Sequence, residues 1–154
     1  MPGNICFGCG RDNHEGLSIS SLWNEGDEKH IAVCEWMPEP RYQGWPNILN
    51  GGIIATLIDC HCMGTAMAEA YRAEGRDLDS DPVYRYATGT LNVRYLKPTP
   101  ADGPVTVKAW VIEQKGRKTT LECEFWAGGE KTAIADVIAL RVVDTSLEEK
   151  TIFQ

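Results

Sequence analysis

The residues best placed to do chemistry lie within residues 42–64, YQGWPNILNGGIIATLIDCHCMG. The centre of this segment is Asn50-Gly51-Gly52, followed by Asp59. Two glycines at a helix N-terminus expose backbone N–H groups, which together with the helix dipole favour an anion or a developing oxyanion. A carboxylate on an otherwise apolar stretch of helix either has a partner or lines a cavity. The segment is therefore the sequence's main candidate for an anion or oxyanion site, with a carboxylate two turns further along the same helix.

Each of these residues also has a purely structural interpretation. Asn is among the best N-cap residues, so Asn50 could serve only to begin the helix. The two glycines could serve only to permit close packing. Asp59 could be a structural acid paired with Arg85, Arg94 or a backbone amide. The residues alone leave both interpretations open.

The spacing of the two candidate groups limits how they can act together. Gly51 and Asp59 are eight residues apart, which is roughly 12 Å along a helix axis. One reacting carbonyl cannot lie about 3 Å from both. If both groups serve one reaction, we expect them to come from different subunits of an oligomer.

The six cysteines suggest a reducing compartment rather than a metal centre. The spacing Cys6-x-x-Cys9, with His14 and Cys34, offers four possible zinc ligands, but a second paired motif is missing. We therefore predict no metal. No apolar signal-peptide core is visible near the N-terminus, so we expect reduced thiols and a cytoplasmic location.

The elements that must position these residues follow from hydrophobic periodicity and turn residues. Residues 17–24 and 29–37 are predicted strands joined at Gly26-Asp27 in a hairpin, and residues 38–49 an irregular loop. Apolar residues at helical spacing predict a buried helix from 51 to about 73, with Gly75 as a C-cap. Four further strands are predicted at 86–96, 105–113, 119–126 and 132–143, with hairpin turns at Gly103-Pro104, Lys115-Gly116 and Gly128-Gly129.

This order predicts an α+β fold in which one long helix lies against an antiparallel sheet of about six strands. The 154 residues form one domain, residues 1–154, with a turn-rich lead at 1–16. One helix cannot cover the whole sheet, so we expect a homodimer that extends it, or a dimer of dimers. The net charge of −7 argues against nucleic acid as a partner. No uninterrupted apolar run approaches eighteen residues, so no membrane partner is expected either.

The segment resembles the hotdog-fold acyl-CoA thioesterases, in particular the phenylacetate-pathway type, whose pattern is close to G-x-P-G-x-x-H-G-G-x-x-x-x-L-x-D. Residues 88–100, TGTLNVRYLKPTP, resemble the strand that enters the family's Y-x-x-P turn, and residues 111–140 resemble its remaining hairpins. The opening CFGCGRDNHEGL resembles a lead found in one branch of these proteins. The positions that match the helix pattern are Gly44, Pro46, Gly51, Gly52, Leu57 and Asp59.

The resemblance implies a role for each matched residue. Asp59 corresponds to the catalytic acid, as general base for water or as nucleophile, and the N–H of Gly51 to the oxyanion donor. Thr88 falls where relatives have a Ser or Thr that holds the water or the acid. Asn50 replaces the usual His, and an Asn can donate a hydrogen bond but cannot move a proton near neutral pH. The amide that orients the thioester is Asn50 or Gln43.

The resemblance also implies an acyl- or aryl-acyl-CoA substrate, with coenzyme A as part of the substrate and no further cofactor. The substrate-binding candidates are Gly52, Asn47, Trp45 as a wall of the acyl pocket, and the basic turn Gly116-Arg117-Lys118 for the CoA phosphates. The turn could also be a solvated hairpin. A non-catalytic acyl-CoA or lipid-binding module on the same fold is the alternative function, because Asn50 has replaced the usual His.

Overall fold

The computed structural model describes residues 3–24 and 30–145 as one α+β fold. In chain order its elements are β1 (Leu22–Trp23), β2 (Ala32–Trp36), a 3-10 turn (Pro40–Tyr42), β3 (Gln43–Trp45), β4 (Ile48–Leu49), α1 (Gly51–Ala73), β5 (Tyr84–Tyr95), β6 (Val105–Lys115), β7 (Lys118–Ala127) and β8 (Glu130–Asp144).

A six-stranded antiparallel sheet has the strand order β1-β2-β6-β7-β8-β5, and β3 pairs with β4 in a separate two-stranded sheet. The single helix α1 contacts β5, β6, β7 and β8. The predicted fold class and the six-stranded sheet are confirmed. Strand β5 is one edge of the sheet and is 12 residues long.

Three predictions about the strands were wrong in detail. Gly103-Pro104 does not close a hairpin, because β5 pairs with β8 at the far side of β6 and β7. Residues 38–49 are not irregular, since they hold the 3-10 turn and the β3–β4 pair. The first strand is two residues long, because the N–H groups of Leu17 and Ile19 donate to the lead, at Phe7 and Gly8. The predicted turn Gly26-Asp27 lies outside the described residues.

Helix α1 begins and ends where the sequence predicts, and hydrogen bonds at its two termini explain both ends. The side-chain oxygen of Asn50 caps the first turn. At the other end Gly75 has φ +64°, its N–H donates to Arg72 O, and the N–H of Arg76 donates to Tyr71 O. This is a Schellman motif, in which glycine adopts the left-handed conformation at little steric cost.

The core forms where the apolar face of α1 meets the inner face of the sheet. Alternate residues of β6, β7 and β8 point inward, as the two-residue period of a strand requires. Those of β8 are mostly alanines, whose small side chains let the helix approach closely. The buried set includes Ile54, Leu57, Ile58, Cys62 and Ala66 of the helix with Val105, Val107, Ala109, Leu121, Phe125, Ala133, Ala135, Val137 and Ala139 of the sheet.

By length and composition alone α1 is apolar enough to cross a membrane, with a mean hydropathy of 1.2 over 18 residues. A core helix passes the same test, and nine residues of α1 are buried in this fold. The expectation that the protein has no membrane partner therefore stays a prediction.

Candidate active site

The first turn of α1 leaves one backbone amide without an acceptor. The N–H of Asn50 donates to Tyr42 O at 2.9 Å, and that of Ile54 donates to Asn50 O at 3.1 Å. Asn50 Oδ1 accepts from the N–H groups of Gly52 at 2.8 Å and Ile53 at 3.4 Å. Within the described ranges, only the N–H of Gly51 in this turn has no protein acceptor. The cap thus satisfies the other donors and leaves Gly51 N–H available to an oxyanion.

The same turn opens into a cleft of about 470 Å³. Gly44, Trp45, Asn50 and Gly51 line one side of the cleft, and residues 95–99 line another. Asn50 is exposed, and its Nδ2 donates to no acceptor in the part of the chain that the structure describes. The capping interpretation of Asn50 is therefore confirmed for Oδ1, while its amide nitrogen remains available to a ligand.

Gln43 and Asn47 together shape the turn that forms one wall of this cleft. Gln43 Oε1 accepts from the N–H of Asn47 at 2.9 Å, and Asn47 has a left-handed φ of +61°. The carbonyl of Asn47 accepts from Ala101 N at 2.9 Å. These bonds give both residues a part in holding the β3–β4 connection. Trp45, between them, is 78% exposed at the cleft mouth.

Tyr95 is a site residue to which the sequence assigned no role. Its hydroxyl donates to Gly51 O at 2.6 Å, and its ring lies about 3.5 Å from where a Cβ on Gly51 would be. Partial desolvation raises the pKa of Tyr95 above its ordinary value, so it stays a donor at neutral pH. The contact holds the carbonyl of Gly51, which belongs to the Gly51–Gly52 peptide directly after the one that carries Gly51 N–H. The sequence signal for this contact is the tyrosine of the Tyr95-x-x-Pro98 turn, to which the family resemblance assigned only a part in the fold.

Two turns further along α1, Asp59 and Thr88 form a pair at the edge of the sheet. The Thr88 hydroxyl donates to Asp59 Oδ1 at 2.5 Å. Asp59 is half-buried and Thr88 is exposed. Neither Arg85 nor Arg94 is the partner of this carboxylate, since they pair with Asp79 and Asp136. Oδ2 of Asp59 has no donor among residues 3–24 and 30–145, so it is available to a water molecule.

A β-bulge in β5 sets the direction of the Thr88 side chain. The register passes from the pair Thr88 and Ala139 directly to the pair Thr90 and Ile138, which leaves Gly89 as the extra residue. A Cβ on Gly89 would lie 3.0 Å from two carbons of Leu140, so glycine suits this close approach. Bulges often redirect a side chain beside an active site. A glycine isolated within a strand pattern is the sequence signal that could have predicted it.

The basic turn Gly116-Arg117-Lys118 lies at the same end of the sheet as Thr88. The register runs from Thr88 through Ala139 of β8 to Thr119 of β7, which is two strand spacings, or roughly 10 Å. Gly116 has φ +58°, as the tight β6–β7 turn requires. Arg117 and Lys118 are exposed, and neither forms an ion pair with another described residue. The turn is thus free to meet an anionic group.

The structure therefore divides the predicted site residues into two groups on one chain. Asn50, Gly51, Gly52, Gln43, Asn47 and Trp45 surround the start of α1, while Asp59, Thr88 and the basic turn lie further along. Asp59 and Thr88 do not line the cleft at Gly51. The helix rise places Asp59 roughly 12 Å from Gly51, as the sequence spacing predicts.

His61 is a core residue and not part of the candidate site. It is fully buried, its Nε2 lies 3.0 Å from Ala32 O, and its Nδ1 lies 2.6 Å from Ser21 Oγ. Because a carbonyl can only accept, Nε2 donates to Ala32 O, and in the neutral ring Nδ1 accepts from the Ser21 hydroxyl. Burial lowers the pKa of His61 to about 4.

The cysteines group differently from the sequence expectation. Cys6 and Cys9 meet Cys60 of α1, and their three sulfur atoms lie within 4.8 Å of one another. Cys34 is buried in the main core instead. A hydrogen bond from the Cys60 thiol lowers the pKa of Cys9 to about 5. Cys60 is far along the chain from the Cys6-x-x-Cys9 motif, so its part in the cluster was not predicted.

With this geometry established, sequence comparison shows the family. Residues 46–134, which include β4, α1 and strands β5 to β7, match the thioesterase superfamily. The chain belongs to the thioesterase superfamily. The match confirms the resemblance that the helix pattern suggested, and it spans Gly51, Asp59, Thr88 and the basic turn.

Curated relatives of this superfamily member are acyl-coenzyme A thioesterases. The chain is 30% identical over 131 residues to acyl-coenzyme A thioesterase THEM4 of Rattus norvegicus, covering 84% of the chain and 50% of the relative. It is 28% identical over 133 residues to THEM4 of Bos taurus, covering 84% and 48%. The chain thus spans about half the length of the curated relatives it matches.

Solved structures of thioesterases share the fold. A thioesterase superfamily protein from Shewanella loihica PV-4 is 29% identical, with a TM-score of 0.65, over 81% of the chain and 91% of that protein. Thioesterase HI1161 of Haemophilus influenzae has a TM-score of 0.71 at 12% identity, over 92% and 90%. BH2602 of Bacillus halodurans, solved with CoA, has a TM-score of 0.58 at 21% identity, over 71% and 66%. The latter two show the fold alone.

Proposed function

We propose that this chain is an acyl-CoA thioesterase domain that hydrolyses the thioester with Asp59 and Gly51 drawn from different subunits. The observation that carries the proposal is the free N–H of Gly51 at the cleft. The Asn50 side chain satisfies the N–H groups of Gly52 and Ile53, and Tyr95 holds the carbonyl of Gly51. A donor held in place before the reaction stabilises negative charge that develops on a carbonyl oxygen.

The proposed chemistry uses two groups that have no partner among the described residues, Oδ2 of Asp59 and the N–H of Gly51. Water bound at Oδ2 of Asp59 gives its proton to that oxygen as it attacks the thioester carbonyl carbon. The carbonyl oxygen becomes an oxyanion and accepts from the N–H of Gly51 of the partner subunit. When the intermediate collapses, the carbon–sulfur bond breaks, the CoA sulfur takes the proton held by Asp59 and leaves as a thiol, and the acyl group leaves as a carboxylic acid. Direct attack by the Asp59 carboxylate, through an anhydride, uses the same groups.

The edge strand β5 supports the shared site. It runs for 12 residues and pairs only with β8 among the strands of the described chain. A long unpaired edge is a template for another strand. A second copy paired at this edge across a two-fold axis extends the sheet and sets the two α1 helices antiparallel. Each Gly51 then approaches the Asp59–Thr88 pair of the other subunit, and two such dimers form the proposed tetramer.

The substrate is an acyl- or aryl-acyl-CoA, bound by groups on both sides of the reacting carbonyl. Arg117 and Lys118 have no ion-pair partner among the described residues, and they lie at the Thr88 end of the sheet, where the CoA phosphates can meet them. The cleft at Trp45 and Asn50 takes the acyl side, with Asn50 Nδ2 free to donate to the carbonyl. We retain a reducing, cytoplasmic location as a prediction from the six cysteines.

A second candidate function is an acyl-CoA or lipid-binding module without turnover. It is favoured by Asn50, because the amide at this position cannot transfer a proton near neutral pH. The two functions make the same demands on the cleft and differ only in whether Asp59 acts as a base. Turnover therefore separates them.

The test is release of free CoA thiol over a panel of short, long and aryl-acetyl CoA thioesters, for the parent and for Asp59→Asn. The variant keeps the shape of the side chain and can still accept from Thr88, but it removes the base. We expect turnover by the parent and a loss of roughly 10²- to 10⁴-fold in the variant, with its folding retained.

The matched control is Asp102→Asn, which makes the same change at an exposed residue of the turn before β6. It should keep full turnover. Equal turnover by Asp59→Asn and the parent would show that Asp59 is structural. Saturable binding of acyl-CoA with no turnover by the parent would establish the binding module.

A further inference from the structure

A cluster of three thiols joins the N-terminal lead to the middle of α1. Cys6 and Cys9 come from the lead, and Cys60 comes from the helix. Their sulfur atoms all lie within 4.8 Å of one another, and those of Cys6 and Cys60 are 3.6 Å apart. A disulfide would need about 2 Å. Zinc–sulfur bonds of about 2.3 Å in a tetrahedral site place the sulfurs roughly 3.8 Å apart.

The lead is folded tightly around these sulfurs. The N–H of Gly10 donates to Cys6 O at 2.9 Å and closes the Cys6-x-x-Cys9-Gly10 turn. Asn4 Oδ1 accepts from the N–H of Cys6 at 3.1 Å, and Asn4 Nδ2 donates to Cys9 O at 3.4 Å. These bonds hold both cysteines of the lead on the side that faces the helix.

Two glycines in the turn make the approach of the thiols possible. A Cβ on Gly8 would lie 2.2 Å from Cys60 Sγ, and a Cβ on Gly10 would lie 2.5 Å from both N and O of Cys6. A carbon at Gly8 would displace the Cys60 side chain, and a carbon at Gly10 would require the backbone to shift. Glycine at both positions lets the lead lie flat against Cys60 and bring its own two sulfurs to it.

We propose that Cys6, Cys9 and Cys60 bind one zinc ion, which fixes the N-terminal lead to α1. Thiolates are soft ligands that favour zinc, and binding releases their protons to solvent. Cys6 is exposed, so a water molecule on that side completes the four ligands. The sequence weighed His14 and Cys34 as the further ligands and predicted no metal, whereas Cys60 supplies the missing third thiolate.

The proposal is independent of the proposed function, although Cys60 is the neighbour of Asp59. A metal bound to Cys60 would hold the helical turn that carries Asp59 against the lead. The site is thus structural, and its loss should loosen the lead first. The readouts that test it are metal content, spectrum and thermal stability rather than turnover.

The experiment uses the full chain, reduced and stripped of metal, then titrated with Co²⁺ and with Zn²⁺. We expect one Co²⁺ per chain, with the thiolate-to-cobalt charge-transfer absorption, and its displacement by one equivalent of Zn²⁺. Zn²⁺ should also raise the melting temperature of the parent, because it binds the folded state. Cys60→Ser should lose the charge-transfer absorption and the Zn²⁺-dependent rise.

Cys62→Ala is the matched control, since Cys62 lies two residues along the same helix, buried and outside the cluster. It should keep one metal per chain. If Cys60→Ser fails to fold, Cys6→Ser replaces it, because Cys6 is exposed and its loss spares the core. The proposal is overturned if the reduced parent binds neither ion, if Cys6→Ser binds Co²⁺ like the parent, or if the three cysteines form a disulfide pair that excludes metal.

Discussion

The two functional regions of α1 differ in how far one chain completes them. At Gly51 the chain supplies the cap, the Tyr95 contact and a cleft, and a single amide is left free. At Asp59 the chain supplies one hydrogen bond from Thr88, on an exposed sheet edge. The first region presents one backbone N–H donor at a cleft. The second presents a carboxylate in which Oδ1 accepts a hydrogen bond and Oδ2 has no donor among the described residues. Under the proposed mechanism, a second subunit brings the oxyanion donor to Asp59.

The helix itself explains why the two regions cannot meet within one chain. A rise of 1.5 Å per residue separates them by roughly 12 Å. The cap, the Tyr95 contact and the buried face fix the helix on the sheet, so bending it to close that distance would break the core. The same helix therefore provides the donor to one proposed site and the base to another.

The largest effect at the donor region is expected for Gly51→Pro. Proline has no N–H, it is tolerated in the first turn of a helix, and Asn50 has the extended ψ of 132° that a following proline requires. Loss of one oxyanion donor should lower kcat by roughly 10²- to 10³-fold. The measurement is turnover of the best acyl-CoA of the panel, with circular dichroism to verify folding.

Gly51→Ala is the control for that variant. It keeps the N–H, and its Cβ would meet the Tyr95 ring at 3.5 Å, which is ordinary contact. We expect it to retain most of the parent turnover. A proline variant as active as the alanine variant would mean that Gly51 N–H does not stabilise the oxyanion.

A smaller effect is expected at the second region for Thr88→Val. Valine keeps the shape but removes the donor to Asp59 Oδ1, so Thr88 is tested as a positioning residue. The loss should be about tenfold in kcat with little change in KM, the low end for a hydrogen bond to a charged group. Thr88→Ser restores the hydroxyl and should restore kcat. A valine variant with unchanged kcat would show that Asp59 is positioned by other contacts.

The smallest effect on turnover is expected at His61, on the buried face of α1 two residues beyond Asp59. Its pKa of about 4 lies below the ordinary value of 6.5, so the unfolded chain takes up the proton first. Its contribution to stability is complete above pH 6.5 and is lost as the pH falls towards 4. Between about pH 7.5 and 5 this amounts to about 2 kcal/mol of the free energy of unfolding.

Urea unfolding at several pH values checks this for the parent and for His61→Gln. The variant has no titrating ring, so its free energy of unfolding should fall less steeply over that range. Its turnover at neutral pH should match that of the parent when both are folded. Identical pH slopes for the two proteins would show that His61 takes up no proton on unfolding.

Local signals in the sequence predicted the parts of the fold that are short-range. Asn50, the glycine pair and Gly75 set both ends of α1, and Lys115-Gly116 and Gly128-Gly129 set two hairpins. The separation of Gly51 and Asp59 followed from helix geometry alone. These features depend on residues that are close in the chain, so they can be predicted from a single sequence.

The features that were missed depend on contacts between distant residues. The pairing of β5 with β8 is decided by how the chain crosses the sheet, and no turn residue encodes it. The contact of Cys60 with Cys6 spans 54 residues. The Tyr95 contact with Gly51 spans 44. Gly89 is the exception, because an isolated glycine in a strand did signal the bulge.

The most direct test of the shared site mixes two inactive proteins, Asp59→Asn and Gly51→Pro, under conditions where subunits exchange. In a mixed dimer one site has both defects and the other has neither. Random exchange makes half of the dimers mixed, so activity should recover to about a quarter of the parent value. Recovery near that level is the result predicted here. Exchange verified by mass spectrometry with no recovered activity would place both groups in the site of one subunit and contradict the mechanism.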